Sequence, residues 1–189
     1  MSIFSRRFDD LSIRSKILAC FSIPVFLILT VSIAVHKNTQ SMVEDNDWVT
    51  HTHKAIARAQ ELLSLIVDKE TGKRGFLITG EEVFLEPYHT SLRLWDEKIQ
   101  ALSVQVSDNP PQVERLKVID DLHDRWLLEA GRNEIALRRA VRDGQQPMQS
   151  VIDLVREQNG KAIVDEIREH IATFIEIERE LIAIRIAQS

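Results

Sequence analysis

Several things a catalytic or metal-bound domain draws on are scarce in this chain. Cys20 is the only cysteine among 189 residues, which excludes an internal disulfide and a cysteine-rich metal site. Aromatic residues make up only 6%, and no segment alternates with period two for long enough to form a strand. Sequence repeats and low-complexity tracts are also lacking. Positive charge is not in excess: the formal net charge is −5, without the concentrated basic surface that a nucleic-acid partner requires. What remains is 44% apolar and 28% charged, the mixture of long amphipathic helices, and the expected class is all-α.

One stretch lacks charge altogether. Ile17 to Val35, "ILACFSIPVFLILTVSIAV", runs for about 19 residues, close to the roughly 20 that cross a bilayer core. Pro24 costs a backbone hydrogen bond, for which the hydroxyls of Ser22 and Thr30 are candidate compensators. A cleaved secretory signal ending near Ser32 and Ala34 is the competing reading, but the apolar core exceeds the roughly 7–15 residues of such signals. Arg6, Arg7, Arg14 and Lys16 precede the run, whereas Glu44, Asp45 and Asp47 follow it, so the amino terminus stays in the cytoplasm. The expected division is a cytoplasmic segment 1–16, a transmembrane helix 17–35 carrying Cys20 in lipid, and a periplasmic or extracellular domain 36–189.

That domain reads as four helices. Ile56, Ala59, Leu63 and Ile66 mark one face of the first, widened by Leu62 and Leu65 and closed near Gly80. The second settles at Glu86 or Pro87 and runs through Trp95 to Val106. "SDNPP" ends it, with Asp108 or Asn109 capping a third helix that continues to Asp143-Gly144. The fourth begins near Gln146 or Pro147, is strained at Gln158 to Gly160, and resumes through Phe174 and Leu181. Trp48, Trp95 and Trp126 are expected in the core. The architecture is an elongated up-down-up-down four-helix bundle preceded by the transmembrane helix. An even number of helices returns Ser189 to the end where residue 40 lies, and "ERELIAIRIAQS", without a terminator, suggests a second span beyond it.

"DKETGKRGFLITGEE", Asp68 to Glu82, interrupts the first helix with Gly72, Gly75 and Gly80. The apolar series continues to Glu70, Lys73 and Leu77, which puts Glu70 at a core position with Arg74 one turn away to satisfy it. A structural ion pair and a ligand contact are both open, and in either case Arg74→Ala should cost more than Arg132→Ala. With "DNPPQ" and "NGKAIVDEIREHIATFIEIERELI", the segment "DKETGKRGFLITGEEVFLEPY" resembles the third class of CHASE domains, the cyclase and histidine-kinase associated sensory extracellular domains, over most of residues 40–189. Glu70, Thr71, Arg74, Gly75, Thr79 and Gly80 match the first motif, and Asn159, Gly160, Lys161, Asp165 and Arg168 the later one. These are the candidate ligand-binding or signalling residues. Lys69 and Lys73 depart from the pattern, standing where smaller or uncharged residues are often accepted.

The resemblance implies a periplasmic sensory bundle in the bacterial inner membrane, dimeric with a second copy of itself, responding to an unknown small ligand or partner protein and feeding a cytoplasmic output in the same chain. "LSIRSKIL" ahead of the span resembles the entry of many chemoreceptors, with histidine kinase the next output. The alternative is a membrane-anchored helical scaffold or partner-binding protein without a small-molecule cue. His51 and His53 point about 200° apart on a helix and cannot share a metal. Acidic pairs such as Glu81-Glu82 and Asp120-Asp121 read as solvated or first-turn charges, and no nucleophile, base and orienting group cluster, so neither cofactor nor catalysis is expected.

Overall fold

The computed structural model of the chain describes the backbone of residues 13–188, and side chains over 48–184 with part of the stretch before. Within those residues it is helical, without strands. Helix α1 spans Ile13–Thr79, a 3-10 turn Glu82–Leu85, α2 Glu86–Gln105, α3 Pro110–Trp126, a π segment Leu127–Gly131, α4 Arg132–Arg142, α5 Met148–Arg156 and α6 Asn159–Gln188. The chain divides into two units between Asp47 and Trp48.

In the first unit Pro24 sits inside α1. The Thr30 hydroxyl does not turn back to the carbonyl that proline frees; it donates to Phe26 O and Leu27 O at 3.0 and 2.9 Å. Phe21, Val25, Phe26, Leu27, Ile28 and Leu29 are each more than half exposed. Among the described residues no helix is long and apolar enough to cross a membrane. Parts of the 17–35 run, Cys20 and Ala34 included, lie outside the described side chains, as do the flanking charges Lys16, Glu44, Asp45 and Asp47. Arg6 and Arg7 precede the described residues altogether.

In the second unit hydrogen bonds fix the helix directions. Gln105 donates to His51 O at 2.8 Å, Arg58 to Ala101 O at 3.0 Å, and Lys98 pairs with Glu61 at 2.9 Å, so α2 runs antiparallel to the later part of α1. Gln112 donates to Phe174 O and Glu178 Oε1, and Arg125 pairs with Glu166, so α3 and α6 are also antiparallel. One consequence is that His51 and Thr52 share a cavity with the turn Asp108–Pro110 and with Glu178 and Leu181. Chain entry and exit therefore lie together within this unit; Ser189 itself is outside the described residues.

On α1 the core follows the expected face at Ala59, Leu62, Leu65 and Ile66, with Ala55 rather than Ile56 at its start. Ala55, Ala59, Leu62, Ile66 and Phe76 are buried, while Ile56 and Leu63 are only partly so. Extending the buried series in steps of three and four places Lys69 and Lys73 at its centre. Trp95 and Trp126 are buried as expected, but Trp48 is 44% exposed. α1 closes at Gly80, whose φ of +77° suits glycine and whose N–H reaches Phe76 O at 2.7 Å. A Cβ there would also meet the Arg138 guanidinium at 2.5 Å.

Four local expectations are corrected. Asn109 occupies the N-cap of α3 without a side-chain capping bond. The third helix is not uniformly α-helical, because the π segment interrupts it. Glu82 is a first-turn charge, as one expected reading had it, but not a merely solvated one: Arg139 and Arg142 both bind it, at 2.7 and 3.0 Å, and the Arg139 hydrogen bond above all holds its carboxyl down to about 2. Asp120 accepts the Trp95 indole N–H at 2.8 Å rather than facing only solvent.

Candidate functional site

Two irregularities set the geometry of the site. The break between α5 and α6 falls at Gln158, which adopts φ +60°, a left-handed conformation that costs a non-glycine residue roughly 1–3 kcal/mol. Gly160 follows and lets α6 approach the π segment closely: a Cβ there would lie 2.7 Å from Ala130 Cβ. The π segment has its own effect. At 3.6 residues per turn, positions eight apart diverge by about 80°, and the wider π winding absorbs one surplus residue. Trp126 and Glu134 thereby face the same side chain, Lys73, whose Nζ is 2.8 Å from Glu134 Oε2 and 5.0 Å from the Trp126 ring centroid.

The two motif segments meet here. Glu70 is 7% exposed; Arg74 donates to one of its oxygens and Arg168 to the other at 3.1 Å. Arg168 also reaches Asp165 at 3.2 Å, and Lys161 binds the second Asp165 oxygen. Glu70, Arg74, Lys161, Asp165 and Arg168 thus form one chain of charges bridging α1 and α6. Because Arg168 is a second cation for Glu70, Arg74→Ala alone leaves the carboxylate paired, which weakens the expected contrast with Arg132→Ala.

Other candidates serve the frame. The Thr79 hydroxyl donates to Gly75 O at 2.9 Å and accepts the Glu81 N–H, joining the last turn of α1 to the next residues. Gly75 makes room for the Phe84 ring, which a Cβ would approach to 2.8 Å, and Gly72 does the same for the Phe84 carbonyl at 2.9 Å. Thr71 is exposed, and among the described residues the Asn159 side chain bonds Glu157, so neither joins the network.

The sequence reading missed a second buried cluster. Lys69 is fully buried, 2.5 Å from His123 Nε2 and 4.2 Å from the Trp95 ring centroid, and His123 stacks on Trp95 with centroids 4.1 Å apart. Burial holds Lys69 down to about 7, with Asp96, Asp120 and Asp124 opposing it. Burial first and then Lys69 hold His123 down to about 3, so its ring is neutral near pH 7. The signal was present in the two lysines that depart from the motif pattern, Lys69 and Lys73, both of which lie on the buried seam.

A cavity of about 310 Å³ opens onto the charge network, lined by Glu70, Lys73, Arg74, Glu134, Gln158 and Lys161 among others. An apolar groove of about 380 Å³, bounded by Ile78, Val151, Ile152 and Val155, shares Arg74, Leu77 and Val155 with it. Polar groups of both signs beside an apolar wall suit ligand recognition.

No curated protein matches the chain. The sensor domain of the histidine kinase HK9 from Rhodopseudomonas palustris is similar in fold, with a TM-score of 0.57 at 21% identity over 69% of this chain and 98% of that one. The CHASE3 domain model matches residues 45–188, a range that includes both motif segments and the network joining them. The chain belongs to the CHASE3 domain family, as a sensory domain.

Proposed function

We propose that this chain is the input region of a membrane-bound signal transducer. Residues 17–35 anchor it in the bacterial inner membrane with the amino terminus inside, and the helices beyond form a periplasmic four-helix bundle that works as a homodimer. The continuous exposure of large apolar side chains from Val25 to Leu29 supports the anchor, because such a surface needs an apolar cover. The cue shifts one packing of the bundle against another, and the displacement passes inward along the helices at the end where chain entry and exit lie together.

The observation that carries this reading is the convergence of two motif segments on Glu70, beside a cavity and a strained helix break. The similar fold of a histidine kinase sensor domain supports a kinase output. The Leu11–Leu18 segment, similar to a chemoreceptor entry, supports a chemotaxis output. The scaffold alternative has no comparable support.

The test is to splice residues 1–189 ahead of the signalling module of a chemoreceptor and, separately, of a histidine kinase, and to measure output in cells. Arg168→Ala should change basal output roughly fivefold or more in at least one fusion, the low end of typical allosteric coupling. Lys117→Ala, at an exposed pair with Glu114, should leave it unchanged. Indistinguishable output from both variants and the parent in both fusions would remove the sensory reading.

A further inference from the structure

The polar cavity and the apolar groove share Arg74, Leu77 and Val155, so they form one continuous site with two chemically different ends. We propose that this site binds a small organic acid carrying a single carboxylate on an apolar body. The body lies in the groove against Ile78, Val151, Ile152 and Val155. The carboxylate sits at the polar end, between Arg74 and Lys161.

Charge balance points to a monoanion. Lys73, Arg74, Lys161 and Arg168 face Glu70, Glu134 and Asp165, four cations to three carboxylates, a formal excess of one positive charge. Glu70 alone holds two guanidinium groups, and the Arg74 side chain is 63% exposed, with donors beyond the one that Glu70 engages. A planar guanidinium fork is matched to a carboxylate. A second negative charge at the polar end would be placed close to Glu70 and Glu134, and the remaining cation of the site, Arg156, lines the groove and is paired with Asp153 at 3.4 Å.

Two further features mark the polar end as a built site. Trp126 Nε1 is buried and has no hydrogen-bond partner in the described structure. It lies behind Gly160, 3.5 Å from where a Cβ would stand, and Gly160 lines the cavity. Gln158 lines the same cavity in its left-handed conformation, and backbone strain of this kind collects at ligand clamps and switch regions. The groove supplies the complementary property. Ile78 is 79% exposed and Val155 45%, apolar surface that an apolar ligand would cover. Volumes of about 310 and 380 Å³ fall within the range of small-molecule pockets.

This inference names the ligand class for the sensory reading and rests on that reading for its purpose, but binding is measured without any output. The experiment is isothermal titration of the 189-residue chain in detergent micelles with phenylacetate, using acetate as the carboxylate without a body and 2-phenylethylamine as the body with a positive charge. Phenylacetate should give saturable one-to-one binding in the micromolar to millimolar range, and neither control should saturate. Ile78→Glu, a change at an exposed position, should weaken phenylacetate binding about tenfold or more with an unchanged melting temperature, and Val155→Glu should repeat the loss from the facing helix. Because partition into micelles is the same for all variants, the difference reports the site. Equal binding by both variants and the parent, equal saturation by acetate, or no saturable signal with phenylacetate up to about 10 mM would each overturn the proposal. Such a failure leaves the result of the fusion experiment unaffected.

Discussion

Lys73→Ala is expected to lower stability by roughly 3–5 kcal/mol, the usual result of removing one partner from a buried ion pair. In a domain of this size that is a fall of about 10 °C in melting temperature. The Lys73 and Glu134 side chains are only 6% and 8% exposed, and their charges are 2.8 Å apart. Deleting the ammonium leaves the nearly buried Glu134 carboxylate beside Trp126 without its ion-pair partner. Replacing both partners, as Lys73→Met with Glu134→Leu, removes the stranded charge and should recover most of the loss. Lys98→Ala is the matched control: its pair with Glu61 is almost as short, at 2.9 Å, but the side chains are 36% and 51% exposed. Solvent screening keeps the cost there small. Thermal unfolding followed by circular dichroism separates the cases, and equal losses for Lys73→Ala and Lys98→Ala would show that the Lys73 environment is wet.

A second large effect is expected with pH. Lys69 is held down to about 7 in the folded chain, chiefly by burial, against an ordinary value of 10.5. Between those values the unfolded chain carries a proton that the folded chain has released, so stability rises with pH through that window. The penalty for burying the charge is fully present below pH 7. From pH 7 to pH 9 the gain from this residue is about 2 kcal/mol by linkage. In Lys69→Met that component of the rise should vanish. His123, held near 3 against 6.5, is neutral at both pH values and contributes only as pH falls from 6.5 towards 3, where the unfolded chain takes up the proton first and stability drops. Parallel melting-temperature profiles for the parent and Lys69→Met from pH 7 to 9 would contradict the assignment of a buried ammonium at this position.

Helix periodicity read the all-α class and most of the helix ends correctly, because they are written in local chemistry. Gly80 and Gly144 stop helices with positive φ, and Pro110 opens α3. The break at Gln158 was legible only as strain near Asn159-Gly160, since sequence does not say which residue of three will take the left-handed conformation. The π segment was not legible at all: "LLEAG" has no composition that separates i→i+5 from i→i+4 winding, and its cause is the tertiary requirement that Trp126 and Glu134 share a face. On α1 most of the buried seam was read, through Ala59, Leu62, Leu65 and Ile66, but Ile56 and Leu63 were given core positions that are only partly buried, and Ala55 was not named. The series was carried on to Lys73 but not to Lys69; both lysines occupy core positions because partners from other helices satisfy them. Those partners, His123 and Glu134, lie more than 50 residues along the chain and could not be paired by spacing. For the same reason Glu70 and Arg74 were found together, one turn apart on one helix, while Arg168 was found only as a motif residue.

The bridge between α1 and α6 is best examined by a double-mutant cycle on Glu70 and Arg168, using Glu70→Gln, Arg168→Ala and the pair, with stability read from thermal unfolding. The expected result is a coupling energy of about 1–2 kcal/mol, because their side chains meet at 3.1 Å at the margin of the core. Additive effects, agreeing within about 0.3 kcal/mol, would mean that the two motif segments do not touch in solution.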